Sequence, residues 1–262
     1  MRDYSRWDCF KVNQEGRVAI VTINQPESLN AFSVKLHKQT EEIFGEMASD
    51  DTVNAFVLTG AGKAFSAGGD IKKMQSGEFV KLIPPEEPIR LVLNLLKIPQ
   101  PIISAVNGNA IGLGATVALF CDIVVASDEA RIGDPHVNVG LVAGDGGCII
   151  WPLLIGMNRA KEMLMTGKLL KAKEAFTMGL VNYCLPSAEV MPKALELAHA
   201  LAEGPAKAIQ WTKMALNQKL IQDVNMILPA STAFEYLTMH TEDHREAASA
   251  FLEKRKPKFT GK

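Results

Sequence analysis

Apolar runs and amphipathic stretches alternate along most of the chain. Arg17–Ile23 is apolar on both faces, as a strand covered on both sides must be. Ala55–Thr59, Pro101–Val106, Ile123–Ala126 and Val181–Leu185 repeat the pattern as short β-branched stretches bounded by Pro, Gly or Asn-Gly. Between them the period changes to that of a helix. Leu36, Ile43, Phe44 and Met47 share one face of a helix that Ser33 can cap. Ile89–Lys97, Arg159–Thr166 (Asn158 before it, Gly167 after it) and Ala172–Met178 are further helices of the same kind. Strands alternating with helices predict an α/β fold. Lys72–Pro88 interrupts the alternation with mixed charge, Gly77 and three prolines, and reads as a mobile, broken helix flanking a pocket.

Beyond Leu185 the pattern is helical throughout: 189–203, a break at Gly204-Pro205, then 206–219, 229–240 and 242–255. The alternation ends there, so the division expected is a core over residues 1–200 and a helical region over 201–262. Apolar residues left over in that region suit a contact between subunits.

The glycine-rich stretch Asn107-Gly-Asn-Ala-Ile-Gly-Leu-Gly114 links a buried strand to Ala115–Phe120, apolar on every side like a fully buried helix. A helix N-terminus carries unpaired N–H groups and the positive end of the helix dipole, so a negative or developing negative charge is expected there. A Walker-type phosphate loop is excluded, because Ala115-Thr116 follows the last glycine where Lys-Ser/Thr is needed. A dinucleotide-binding turn is excluded by Val117 at its third glycine. An oxyanion hole remains, beside a plain turn whose glycines permit close packing. A second small-residue loop, Lys63–Ile71, could bring backbone N–H groups of Ala67-Gly68-Gly69 to a ligand.

Composition narrows the field. The 262 residues carry a net charge of −1, which gives no basic footprint for nucleic acid or an anionic membrane. Cys9, Cys121, Cys148 and Cys184 form no C-x-x-C pair, and the apolar runs around Cys121 and Cys148 suit buried thiols in a reducing compartment. The five histidines lack metal-ligand spacing, so no metal is expected. Met1-Arg-Asp-Tyr lacks a signal-peptide apolar region, and the uncharged run Ile98–Cys121 contains two prolines and three glycines. A soluble cytoplasmic protein, with no membrane partner, is the expectation.

The two glycine-bearing loops together resemble the crotonase (enoyl-CoA hydratase/isomerase) superfamily. Ala64-Phe-Ser-Ala-Gly-Gly-Asp-Ile71 is similar to its A-x-x-A-G-x-D-[ILV] segment, and Asn107–Gly114 to its N-G-x-[AC]-x-G-x-G segment. Asn30-Ala31, Cys121-Asp122-Ile123 and the tail Ala250–Pro257 also fall in family order. The resemblance implies a spiral of ββα units with a C-terminal helical trimerisation region, assembled as a trimer or a dimer of trimers. It implies an acyl-CoA thioester as substrate and no separate cofactor, coenzyme A being part of the substrate. By position it places the oxyanion-hole N–H groups at Gly69 and Leu113, the latter a leucine where many members have glycine. It places the nucleotide against Ala64, Ala67, Asp70 and Ile71, with Phe251 and Lys254 approaching from a neighbouring subunit.

The sequence departs from the hydratase pattern at two positions. The two glutamates that hold water in hydratases are replaced by Thr116 and, within Gly133-Asp-Pro-His, by His136. Asp145, in Ala143-Gly-Asp-Gly-Gly-Cys-Ile, stands where isomerase, ring-closing and dehalogenating members of the superfamily place an aspartate. A carboxylate there, next to an apolar stretch, should have a raised pKa suited to proton transfer; alternatively Asp145 caps the helix that follows. His136 is the other candidate acid/base, or a hydrogen-bonded wall residue. Two classes of function follow: enolate chemistry on an acyl-CoA (isomerisation, hydration or thioester hydrolysis), or CoA-ester binding without chemistry.

Overall fold

The computed structural model describes residues 2–262. Its elements in chain order are β1 (Phe10–Glu15), β2 (Val18–Ile23), α1 (Val34–Met47), β3 (Ala55–Gly60), β4 (Ala64–Ser66), α2 (Ile71–Gln75), α3 (Glu78–Leu82) and α4 (Glu86–Lys97). There follow β5 (Ile102–Val106), β6 (Asn109–Ile111), α5 (Leu113–Phe120), β7 (Ile123–Ser127), β8 (Arg131–Gly133), α6 (Gly147–Ile155) and α7 (Met157–Thr166). The chain closes with β9 (Leu170–Lys171), α8 (Ala172–Met178), β10 (Tyr183–Leu185), α9 (Ser187–Glu203), α10 (Ala206–Thr238) and α11 (Glu242–Leu252).

The strands form two sheets, in the orders β1-β2-β3-β5-β7-β10 and β4-β6-β8-β9. The pairs β3–β5–β7 and β4–β6–β8 are parallel. Each pass of the chain therefore gives one strand to the large sheet, the next to the small sheet, and then a helix: β3-β4-α2, β5-β6-α5, β7-β8-α6. That repeat is the ββα spiral expected from the resemblance. Val18, Ala55, Val57, Ile103, Ala105 and Val125 line one face of the large sheet, against Val190, Ala194, Ala198 and Ala202 of α9. The other face packs into the main core with Phe44 of α1 and Leu91 of α4.

Three elements differ from the sequence expectation. β1, unread in the sequence, pairs antiparallel with β2 through a turn at Gly16, and its alternating exposure is that of an edge strand. The helix before Thr166 starts at Met157 after Gly156, so Asn158 lies inside it rather than capping it. The helices read at 206–219 and 229–240 are one 33-residue helix, α10, running through Pro229. Segment 72–88 folds into α2, α3 and the start of α4.

Candidate functional site

The two loops meet because asparagine side chains hold them. Asn30, with φ of 56°, donates through Nδ2 to the carbonyls of Ala61 and Ala64 at 2.9 and 2.8 Å. Asn107 accepts from Gly60 N–H at 3.2 Å and donates to Gly62 O at 3.1 Å. Phe32 pairs with the first loop, its N–H donating to Gly68 O at 2.7 Å. Gly112, at φ 53° and ψ −127°, makes the turn into α5, a conformation closed to residues with a Cβ, and leaves Leu113 as the first helical residue. Every residue of α5 is buried. Gly69 and Leu113 both line an inner cleft of about 610 Å³ of atom-free space, its open mouth included.

The floor of the cleft is a buried cluster of ionisable side chains. The 3₁₀ turn His136–Val139 follows β8 and carries His136, whose Nδ1 is hydrogen-bonded to Asp134 Oδ1. His136 Nε2 lies 3.5 Å from Asp145 Oδ2 and 3.8 Å from Glu235 Oε1. Thr116 of α5 donates its hydroxyl to Asp145 Oδ1 at 3.2 Å. Asp145 makes no cap to α6, whose N-terminal residue is flanked by Gly146 with no side-chain hydrogen bond. Thr116 is thereby a donor that orients a neighbouring carboxylate.

Glu235 is the residue the sequence reading missed. It arrives from α10, which docks on Gly144: a Cβ there would lie 2.5 Å from Glu235 Cβ and 2.5 Å from Ser231 O. Ser231 Oγ donates to Gly144 O at 2.9 Å, fixing the helix against the segment that bears Asp145. The signal in the sequence was faint, a glutamate in a helix otherwise read as an oligomer surface.

Three carboxylates surround one imidazole, all four residues less than a tenth exposed. Burial alone lowers the His136 imidazolium, but Asp134 and Asp145 more than reverse this and hold it well above its ordinary value. Burial raises the Asp145 carboxyl, against the opposing attraction of His136. Burial likewise pushes Glu235 up to about 8. Within the cluster Glu235 is thus the carboxyl that keeps its proton near neutral pH. Asp134, His136 and Asp145 each bring a ligand atom to within 4.8 Å of the others, a spacing open to a cation. The direct Asp134–His136 hydrogen bond instead pairs the charges without one.

A second, outer cleft adjoins the first and shares Gly69, Met74 and His136 with it. Ala67 and Ile71 line it with Phe251. Phe251 reaches it from α11, which packs on α2 with Gln75 Nε2 donating to Ser249 Oγ at 3.1 Å. Ala64 is buried in β4, and Asp70 caps α2 by accepting from the N–H of Lys72 and Lys73. Lys254 is exposed just past α11, at φ 54°. Among the described residues no helix is long and apolar enough to cross a membrane.

This spiral, with its paired loops beside a buried acid–base cluster, is that of a hydratase/isomerase-type enzyme. The chain belongs to the enoyl-CoA hydratase/isomerase family, whose model matches residues 13–262. The short-chain-enoyl-CoA hydratase of Clostridium acetobutylicum is 38% identical over 249 residues, covering 94% of this chain and 95% of that protein. The 1,2-epoxyphenylacetyl-CoA isomerase of Escherichia coli is 35% identical over 253 residues, covering 95% and 97%. Among solved structures, an enoyl-CoA hydratase/isomerase from Mycobacterium paratuberculosis superposes with a TM-score of 0.86 at 35% identity, covering 92% of this chain and 97% of that one.

Proposed function

We propose that the protein transforms an acyl-CoA thioester through an enolate held between the N–H groups of Gly69 and Leu113. The observation that carries this reading is the position of the His136–Asp145–Glu235 cluster in the cleft those two residues also line. Neither N–H is taken by a backbone or side-chain acceptor among the described residues. With the thioester oxygen between them, the α-carbon proton passes to the Asp145 carboxylate, and the electron pair moves to the oxygen. Glu235, protonated at neutral pH, and the His136 imidazolium, oriented by Asp134, return a proton to carbon or position water for addition to the double bond. The nucleotide lies along Ala64, Ala67 and Asp70-Ile71 with Phe251, and Lys254 steers the phosphates. The helical region 201–262 joins subunits through exposed Trp211, Leu216, Met226 and Leu237 of α10, as a trimer or a dimer of trimers.

The test is incubation with crotonyl-CoA and with a 3-enoyl-CoA, following the conjugated thioester absorbance and separating the products. Loss of the signal from the first substrate marks hydration, and its gain from the second marks isomerisation. Release of free thiol alone would replace enolate chemistry with hydrolysis. Thermal stabilisation by the esters without turnover would make the protein a binder.

A further inference from the structure

Apart from the His136 cluster, the inner cleft holds a second buried polar pair that the enolate chemistry leaves unused. His37, in the first turns of α1, is 4% exposed, and its Nδ1 lies 2.7 Å from Oε1 of Glu87, 2% exposed at the start of α4. The Phe32 ring meets the imidazole edge-on, with centroids 6.3 Å apart and planes at 77°. Phe32 also pairs with Gly69, so this imidazole is tied directly to the loop that carries the proposed oxyanion donor. The carboxylate and the aromatic ring together fix the orientation of His37. Its remaining polar atom, Nε2, has no hydrogen-bond partner among the described residues, and His37 lines the cleft. The wall around it is apolar, built from Phe32, Phe79, Ile83 and Pro88.

A strut between α1 and α4 does not require this pair. Burying a carboxylate and an imidazole is costlier than burying two well-packed apolar side chains of the same volume. A strut also gains nothing from a ring nitrogen left open to a ligand cavity. An open nitrogen in an apolar wall is what a site needs when one end of its ligand carries a hydrogen-bonding atom.

We infer that the cleft selects an acyl chain bearing an uncharged oxygen, a hydroxyl or a keto group, which His37 Nε2 holds by a hydrogen bond. This inference rests on the acyl-CoA reading of the cleft and specifies its acyl group. A carboxylate at that end is disfavoured by charge: Glu87 already faces the imidazole, and the Asp145 carboxylate lines the same cleft. A plain hydrocarbon would cover the nitrogen and leave it unpaired, a loss that a site built around hydrogen bonding turns into discrimination. With Glu87 on Nδ1, the neutral ring accepts from a hydroxyl at Nε2, whereas the protonated ring donates to a ketone.

The experiment measures affinity of the intact protein for a series of saturated acyl-CoA esters, each paired with its hydroxy and keto counterparts of equal length. At the chain length that reaches His37, the oxygenated ester is expected to bind about 10-fold more tightly than the plain one. Which member of the pair gains identifies hydroxyl or ketone as the natural group. In His37→Leu/Glu87→Leu, which removes both partners and leaves neither buried alone, the preference should vanish while the plain ester still binds. Equal affinity for plain and oxygenated esters throughout the series, or a preference that survives in the double variant, overturns the inference. Plain esters binding without gain from oxygen would refute the inference alone. Failure of every ester to bind would refute the acyl-CoA reading as well. Should the double variant not fold, equal affinity for plain and oxygenated esters on the unaltered protein still overturns the inference.

Discussion

Replacing Asp145 by asparagine separates chemistry from architecture. Asparagine has nearly the same volume, and its side-chain oxygen can still accept the Thr116 hydroxyl that now lies 3.2 Å from Asp145 Oδ1. The start of α6 makes no use of this side chain. His136 keeps Asp134 on Nδ1 and Glu235 near Nε2, so no imidazolium is left buried without a partner. Stability should then change by no more than about 1 kcal/mol, a shift in Tm of roughly 2–4 °C for a chain of this size. The proposed proton acceptor is lost altogether. A positioned base contributes about 10²–10⁴-fold, or roughly 2.7–5.4 kcal/mol of transition-state stabilisation. Turnover should fall by at least about 10²-fold while affinity for the CoA ester stays within a few-fold, because the proposed nucleotide site is the outer cleft. The assay is kcat from the conjugated thioester absorbance, with ester binding and thermal melting measured on the same preparation. Full turnover by Asp145→Asn would remove Asp145 from the chemistry. A large fall in Tm accompanying lost turnover would give it a structural role instead.

Three further outcomes are expected. Leu113→Pro removes one proposed oxyanion donor at the first helical position, where proline fits a helix; it should cost about 10²–10³-fold in kcat with the fold intact, and unchanged kcat would exclude that N–H. Glu235, raised from 4.5 to about 8, binds its proton more tightly in the native state, so stability present below pH 4.5 is lost as the pH rises through 8. His136, also raised, acts in the same direction, and Glu235→Gln should flatten the decline in Tm toward alkaline pH; a decline as steep as in the unaltered protein would contradict the burial argument. Lys254→Glu should weaken CoA-ester binding more at low than at high salt, and equal affinity at both would make this lysine a solvated surface residue.

Much of the candidate site was legible because the chemistry proposed for it depends on local backbone. The strand–glycine–helix passage at Asn107–Leu113 and the small-residue loop at Ala67–Gly69 announce themselves in consecutive residues. Asp145 and His136 stood out as titratable groups in an apolar run, although the sequence weighed them as rivals and the fold brings them to 3.5 Å. Glu235 and the His37–Glu87 pair were not legible, because each is a polar residue on an ordinary helix whose partner lies far along the chain. Pro229 reinforced the error, since proline commonly marks a helix start and here lies inside α10. Edge strand β1 was missed because its exposed Lys11, Asn13 and Glu15 dilute the apolar signal.

The inner cleft has a wall made of Met74, Phe79, Ile83, Pro84 and Pro88, all from one short stretch between β4 and the body of α4. None of these residues belongs to the His136 cluster, and none is Gly69 or Leu113. The shape of the cleft and its reactive groups are thus inherited from separate pieces of chain. Substitutions, insertions or a lengthened turn around Gly77 can remould the wall while the strands that aim the loops stay as they are. Such a division lets the cleft change shape one mutation at a time while the His136 cluster stays in place.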